Sequence, residues 1–222
     1  MLVKICGART EREVRAVAEA GADLVGLWHG VPGGRADLPA PRLARLAAEA
    51  RATGRLRSVL VTFASQAPTL ARTAVDSGVD WIQLHGYQRP ALVRALRAQL
   101  PARVSLVKVL HVHGTSCPEA SLIPAYERAG TDLFLLDATT ADGRVGSTAH
   151  TLDDRTAADL AQRTTRPFLL AGGLRPDNRH LFDAVLADPR LCGIDVDSAA
   201  RDDEGLLDAA RTADLVRAWR TP

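Results

Sequence analysis

The chain has 222 residues, of which 46% are hydrophobic and 24% are charged. A chain of this length and apolar content can bury a sizeable core in one domain, which excludes a disordered or collagen-like protein. The 28 basic and 26 acidic side chains are interspersed and give a net charge of only +2, so we expect no nucleic-acid partner. No apolar stretch approaches the roughly 20 residues of a membrane helix, and the start, MLVKICG, resembles a strand more than a signal peptide. We therefore expect a cytoplasmic protein with no membrane partner.

Cysteines and lysines are both few. Cys6, Cys117 and Cys192 are an odd number with no C-x-x-C pair, which predicts free thiols rather than a disulfide framework or a structural zinc site. Lysine occurs only at positions 4 and 108, and every other basic residue is arginine. We interpret the scarcity of lysine as coding bias and not as chemistry.

Eight short apolar runs recur along the chain, and each is continuous rather than alternating. Continuous runs of this length predict parallel strands that are buried on both faces. The runs are LVKIC at 2–6, DLVGLW at 23–28, SVLVTF at 58–63, WIQLH at 81–85, VSLVKVL at 104–110, DLFLLD at 132–137, PFLLAG at 167–172 and GIDVDS at 193–198.

Helical patterns separate the runs. The first has a capping box of Thr10 and Glu13 and a C-terminal stop at Gly21. An open doubly wound sheet is an alternative, but it would usually have G-x-G-x-x-G after the first strand, and KICGART lacks it. We therefore predict an α/β protein whose residues 1–222 form a single (β/α)8 TIM barrel domain. The other helical stretches cover about 41–53, 67–77, 90–100, 119–129, 155–164, 178–187 and 206–219.

In such a barrel, the chemistry belongs at the C-terminal ends of the strands. Cys6 ends the first strand, and the positive end of the first helix would favour its thiolate, although a small buried hydrophobic side chain is the alternative. Asp137 closes the run LFLLD, where a carboxylate is costly unless it faces a polar mouth, so we favour a function over a capping or bracing role. For His85 we favour bracing through hydrogen bonds over acid catalysis.

Two further patterns carry weaker signals. His111 and His113 form an H-x-H pair that suits zinc, but no third ligand is obvious, so we expect a solvated loop and no metal. Gly172 and Gly173 precede a helix near Pro176 and form a turn whose amides could hold a phosphate. The alternative is that the two glycines only make a tight turn.

Six motifs occur in the order, and at about the spacing, found in one enzyme family. They are KICG at 4–7, GADLVGLW at 21–28, QLHG at 83–86, LLD at 135–137, LAGGLRPDN at 170–178 and GIDVDS at 193–198. Over nearly its whole length, the chain resembles phosphoribosylanthranilate isomerase of tryptophan biosynthesis. KICG is specific together with LAGGL and the P-x-N that follows it, whereas QLHG alone is only suggestive.

The resemblance implies an enzyme that needs no cofactor and acts on a small molecule. It implies an Amadori rearrangement, in which an N-glycosylamine of an aldose becomes a 1-amino-1-deoxyketose. Asp137 matches the acid that protonates the furanose ring oxygen, and Cys6 matches the base that removes the proton on C2. Arg35 matches an arginine that binds the anthranilate carboxylate. The other implied substrate-binding residues are His85, Gly172, Gly173 and Ser198.

Two loops depart from the pattern of that family. The usual G-G-T-G-like loop with F-D-W corresponds to GRVGSTAHTLDD at 143–154, with only Gly146 and Ser147 in register. The usual D-V-S-S-G-V-E becomes DVDSAAR at 195–201. There we expect Ala199 to hinder close backbone approach to a phosphate and Asp197 to repel one.

These departures leave three hypotheses open. The first is a divergent member of the family, in which the amides of Gly172 and Gly173, with Arg201, still hold the phosphate. The second is a paralogue that performs the same acid–base isomerisation on another substrate, such as an unphosphorylated aminosugar. The third is a non-catalytic binding barrel that retains Cys6 and Asp137 as structural relics.

Overall fold

The computed structural model describes residues 1–138 and 152–220, so most of the altered loop at 143–154, with Gly146 and Ser147, lies outside the described residues. Eight parallel strands form a closed barrel, in which each strand pairs with the next along the chain and the last pairs with the first. The predicted barrel is thus confirmed. The strands are β1 (Leu2–Cys6), β2 (Leu24–Trp28), β3 (Arg57–Thr62), β4 (Trp81–Leu84), β5 (Ser105–Val112), β6 (Leu133–Ala138), β7 (Phe168–Leu170) and β8 (Leu191–Val196).

A helix follows each strand within the described ranges. The predicted capping box is present, because the Thr10 side chain accepts a hydrogen bond from the Glu13 N–H while the Glu13 carboxylate accepts one from the Thr10 N–H. None of the described helices is long and apolar enough to span a bilayer. The helices are α1 (Glu11–Glu19), α2 (Ala40–Ala52), α3 (Ala67–Ser77), α4 (Pro90–Arg97), α5 (Ile123–Ala129), α6 (Asp154–Ala161), α7 (Asp183–Leu186) and α8 (Ala209–Arg220).

Helices α5 and α7 depart most from their predicted ranges, whereas α4, α6 and α8 fall short by only three residues at one end. Helix α5 begins at Ile123 after a single 3₁₀ turn, because the side chain of Glu119, the predicted start, points inward and bonds to His111. The stretch predicted at 178–187 is a 3₁₀ turn followed by one turn of α7. There the Asn178 side chain bonds to the backbone of Gly173 and Arg175, which holds the preceding chain in a turn.

Apolar side chains fill two layers. One layer packs the outer face of the strands against the helices and includes Ile5, Leu27 and Trp219. The other fills the barrel interior, so the interior is a packed core and not a pore. Its members include Leu24, Val59, Val61, Trp81, Val107, Val109, Leu135 and Leu169.

Candidate active site

The end of the barrel at which the strands finish, here called the mouth, is polar, whereas the interior below it is apolar. Alternate residues of each strand face inward. The inward-facing residues are apolar low in the barrel, as at Leu24 and Val107, and polar at the strand ends that form the mouth. Those that contact one another through polar atoms are Lys4, Cys6, Trp28, Gln83, His85, Asp137 and Asp195.

Cys6 lies at the end of β1 with only 6% of its surface exposed. Two groups donate hydrogen bonds to its sulfur: Lys4 Nζ at 3.2 Å and Trp28 Nε1 at 3.2 Å. Gly26 of the neighbouring strand leaves room for the thiol, because a Cβ at that position would lie 2.6 Å from Cys6 Sγ. The thiol is therefore held in a confined space with a fixed set of partners.

A buried ion pair lies directly below the thiol. Lys4 is completely buried, and its Nζ lies 2.7 Å from Asp195 Oδ2 across the β1–β8 pairing. Burial lowers the pKa of Lys4, but the negative charge of Asp195 and the hydrogen bonds to Asp195 and Cys6 outweigh it, and the net shift is upward. Burial raises the pKa of Asp195, whose Oδ1 has no hydrogen-bond partner among the described residues. The ion pair thus leaves one carboxylate oxygen unsatisfied.

The protonation of Cys6 differs from the sequence expectation. Burial, opposed by the charge of Lys4, raises the pKa of the Cys6 thiol to about 12. The sequence analysis expected the positive end of helix α1 to favour the thiolate. That expectation is wrong, because the Glu13 carboxylate already caps this N-terminus and accepts hydrogen bonds from the Arg9 and Thr10 N–H groups. In the resting protein Cys6 is therefore a thiol.

Asp137 ends the buried run of β6 and faces His85, as the proposed bracing role requires. His85 Nε2 lies 3.4 Å from Asp137 Oδ2, an ion-pair contact without hydrogen-bond geometry. His85 Nδ1 lies 2.9 Å from Gln83 Nε2. Because the Gln83 amide nitrogen can only donate, Nδ1 accepts, and a neutral imidazole then carries its proton on Nε2, towards Asp137. Gln83 therefore orients the ring that faces the carboxyl group.

His111 is not in a solvated loop, so that expectation is wrong. It is buried at the end of β5, with Nδ1 2.6 Å from Glu119 Oε1 and Nε2 2.9 Å from the carbonyl oxygen of His85. His113 is exposed. In the part of the chain that the structure describes, no three His, Cys, Asp or Glu side chains are arranged to hold a metal. His111 instead supports the backbone of His85.

Arg35 and Asp197 form an ion pair, with Arg35 Nη2 2.8 Å from Asp197 Oδ2. Arg201 Nε lies 2.5 Å from the other oxygen of Asp197. Because two guanidinium groups face one carboxylate, the expectation that Asp197 repels an anion is wrong, and one argument for an unphosphorylated substrate falls with it. Arg201 is buried and donates from Nη2 to the carbonyl oxygens of Cys6 at 3.2 Å and Gly7 at 2.9 Å. It therefore holds the loop after β1, contrary to its expected role at a phosphate.

The loops after β7 and β8 carry the remaining predicted residues. Gly172 and Gly173 have φ of +95° and +63°, a backbone conformation that L side chains rarely adopt. Ser198 is exposed and begins a 3₁₀ turn that ends at Ala200. These residues lie after the carboxyl ends of two adjacent strands, as the sequence predicts.

Sequence reasoning assigned no role to Lys4, Gln83 or Asp195. Their signal was the two-residue period of a strand: Lys4 precedes Cys6 by two positions, and Gln83 precedes His85 by two. The same period places Asp195 on the inward face of β8 and Trp28 on the face of Gly26. Applied to each strand end, this period would have identified the side chains below and beside the predicted site.

Along its whole length the chain is similar to proteins of one family. The sequence model of the family described as N-(5'phosphoribosyl)anthranilate (PRA) isomerase matches residues 3–218. The N-(5'-phosphoribosyl)anthranilate isomerase of Afipia carboxidovorans is 34% identical over 220 residues, which cover 99% of this chain and 89% of the relative. That of Azorhizobium caulinodans is 35% identical over 221 residues, with coverage of 97% and 90%. The phosphoribosyl anthranilate isomerase structure from Thermococcus kodakaraensis matches with a TM-score of 0.77 at 27% identity, covering 100% of this chain and 99% of that one. The chain therefore belongs to the N-(5'-phosphoribosyl)anthranilate isomerase family.

Proposed function

We propose that the protein converts N-(5'-phosphoribosyl)anthranilate into its 1-amino-1-deoxyribulose isomer by an Amadori rearrangement, with Asp137 as the acid and Cys6 as the base. The observation that carries this proposal is a buried thiol and a buried carboxyl group at one barrel mouth, each held by separate partners. The rearrangement needs one group that donates a proton and another that removes one. No external oxidant or reductant is needed, because C2 is oxidised to a ketone while C1 of the same molecule is reduced to the amine level.

The first step opens the sugar ring. Asp137 donates a proton to the furanose ring oxygen, the bond from C1 to that oxygen breaks, and the nitrogen lone pair forms a C=N bond to C1. The Nε2 proton of His85, 3.4 Å from the carboxyl group, stabilises the carboxylate that remains. The product of this step is a protonated imine with a free hydroxyl group.

The second step removes the proton on C2. Cys6 first loses its thiol proton to the solvent, and the resulting thiolate then takes the C2 proton and forms an S–H bond. The C2–H electron pair forms a C1=C2 bond, and the C=N electron pair returns to nitrogen. The resulting enolamine takes a proton at C1 and loses the hydroxyl proton at C2, which gives the ketose. The positive imine makes the C2 proton acidic, and this offsets part of the energy needed to form the thiolate of Cys6.

Two loops of the protein carry groups that are complementary to the charged ends of the substrate. Arg35 stands in the loop after β2 with its side chain 45% exposed, so a carboxylate can reach its guanidinium beside Asp197. The backbone turn at Gly172 and Gly173, together with Ser198, receives the phosphate. Asn178 Nδ2 donates to the carbonyl oxygen of Gly173 at 2.9 Å, so this turn is fixed before the substrate binds.

Loss of substrate fluorescence with freshly formed phosphoribosylanthranilate tests the proposal. We expect Cys6→Ala and Asp137→Asn each to lower kcat by about 10²–10⁴-fold, the usual contribution of one general acid or base. Cys192→Ala is the matched control, because Cys192 is also a free thiol but is half-buried at the start of β8, away from the mouth. We expect it to retain wild-type turnover.

Three outcomes would overturn the proposal. Wild-type turnover unaffected by both site variants would remove their catalytic roles. Tight binding of substrate without product would favour the non-catalytic barrel, whereas turnover of an unphosphorylated aminosugar alone would favour the paralogue.

A further inference from the structure

We infer that Lys4 and Trp28 together form a two-donor site for the thiolate of Cys6, so that Trp28 is a positioning residue for the base of the reaction. The inference rests on the proposed role of Cys6 as that base. Its new element is the indole of Trp28, which has no role in the proposed mechanism.

The geometry places the two donors on different strands. Lys4 precedes Cys6 on β1 and reaches the sulfur from the core side, whereas Trp28 reaches it from the end of β2, and both contacts measure 3.2 Å. An ammonium and an indole N–H can only donate, so both groups present hydrogen to the sulfur. A thiol is a weak acceptor and a thiolate a strong one, so both contacts strengthen when Cys6 loses its proton.

The indole is held in place by the loops around it. A Cβ at Gly7 would lie 3.5 Å from Trp28 Cε2, and one at Gly34 would lie 3.1 Å from Trp28 Cε3. These distances place the ring between the loops after β1 and β2. The Leu38 N–H also donates to the Trp28 carbonyl oxygen at 2.9 Å. The N–H therefore points at the sulfur in a fixed direction and is ready before the reaction begins.

Every charged group near the sulfur bears on its titration. Lys4 on β1 and the indole of β2 favour the thiolate, while Asp195 on β8 and Asp197 after β8 oppose it. Arg201 adds a positive charge at the carbonyl oxygen of Cys6. Burial outweighs the favourable groups and raises the pKa of Cys6 to about 12, so the thiolate is scarce at neutral pH and each donor matters.

Kinetics on Trp28→Phe separate a positioning role from a packing role. The variant keeps a ring but loses the N–H, so proton removal from C2 should slow while substrate binding is unchanged. We expect kcat to fall about tenfold, the factor for a lost hydrogen bond to a charged group, with KM within about twofold. The deuterium isotope effect on kcat, measured with substrate labelled at C2, should rise.

Trp81→Phe is the matched control, since Trp81 is also an inward-facing tryptophan of the barrel but belongs to the apolar interior layer. We expect its kcat and isotope effect to equal those of the wild type. A changed KM with an unchanged isotope effect in Trp28→Phe would overturn the inference, because that pattern indicates packing alone.

Thiol alkylation gives a readout that does not depend on turnover. In a background with Cys117→Ser and Cys192→Ser, the rate of reaction with a small neutral alkylating reagent at fixed pH reports the thiolate fraction of Cys6. We expect a fall of about tenfold in Trp28→Phe, although the smaller ring opens access to the sulfur. An unchanged or faster rate would contradict the inference.

Lys4→Met provides a second variant for the same alkylation assay, with circular dichroism to verify that the variant is folded. We expect a larger fall than for Trp28→Phe, because a full charge is lost. If the wild type does not turn over the substrate at all, the proposed function fails, and alkylation still decides whether Lys4 and Trp28 stabilise the thiolate.

Discussion

The two lysines of the chain are equally buried, but their pKa values are shifted in opposite directions. Lys4 faces the barrel interior and has a raised pKa, whereas Lys108 of β5 faces helix α5, and burial lowers its pKa to about 8. Lys4 lies 2.7 Å from Asp195. Lys108 lies 3.5 Å from Glu119, whose Oε1 is already bonded to His111 at 2.6 Å.

The difference indicates that the pKa of a buried amine stays high only when a carboxylate is close and not shared. Asp195 gives Oδ2 to Lys4, while Glu119 divides its charge between an imidazole and an ammonium. Lys108 instead donates to backbone carbonyl oxygens, one of them that of Gly86 at 2.9 Å. Neutral acceptors stabilise an ammonium less than an ion pair does. One lysine is therefore part of an electrostatic site and the other is part of the packing.

Removal of each lysine side chain should give the largest contrast. Lys4→Met leaves Asp195 as a buried charge without a partner, and we expect a loss of about 3–5 kcal/mol in the free energy of unfolding. Lys108→Met should cost less than about 2 kcal/mol, because Glu119 keeps its bond to His111. Urea denaturation near neutral pH measures both. Asp195→Asn added to Lys4→Met should recover part of the loss, and equal losses for the two single variants would remove the contrast.

The pH dependence of the free energy of unfolding should reflect the opposite pKa shifts of the two lysines. Between the folded pKa of Lys108, about 8, and its unfolded value of 10.5, the unfolded chain binds more protons, so its contribution to stability rises with pH. We expect the free energy of unfolding of the wild type, relative to Lys108→Met, to rise by on the order of 2 kcal/mol over this window. The contribution of Lys4, whose folded pKa is raised, is fully present below 10.5 and is lost only above it. A flat difference for Lys108 would mean that its pKa is not lowered.

A methyl group added beside each lysine should give the smallest contrast. The Cβ of Gly26→Ala would lie 3.1 Å from Lys4 Nζ and 2.6 Å from Cys6 Sγ, inside a closed site. We expect this variant to lose about 1–3 kcal/mol of stability and to lower kcat. The Cβ of Gly86→Ala, near Lys108, would meet the side-chain amide of Gln88 at 3.3 Å, which a shift of a few tenths of an ångström relieves, so we expect a loss below about 1 kcal/mol. Similar losses for both variants would show that the Cys6 site is no tighter than its surroundings.

The sequence predicts the fold better than the electrostatics of the site. Continuous apolar runs and caps are local signals, and they located all eight strands and the barrel. Cys6, His85 and Asp137 could be placed at the mouth because each follows such a run. The pairing of Asp197 with Arg35 could not be predicted, since the two residues are 162 positions apart and meet only in the closed barrel. The protonation of Cys6 depends in the same way on burial and on Asp195, and neither is a local property.

The burial of both lysines has a practical consequence for handling the protein. The sequence contains no other lysine, so mild amine-directed reagents reach no lysine side chain of the folded barrel. A lysine introduced at an exposed position becomes the one lysine side chain that such a reagent can modify. Placed near the start of β1, whose other end forms the mouth at Cys6, it would couple a support or dye at the opposite end of the barrel from the site. Molecules immobilised through that lysine would share one orientation, with the mouth facing the solution.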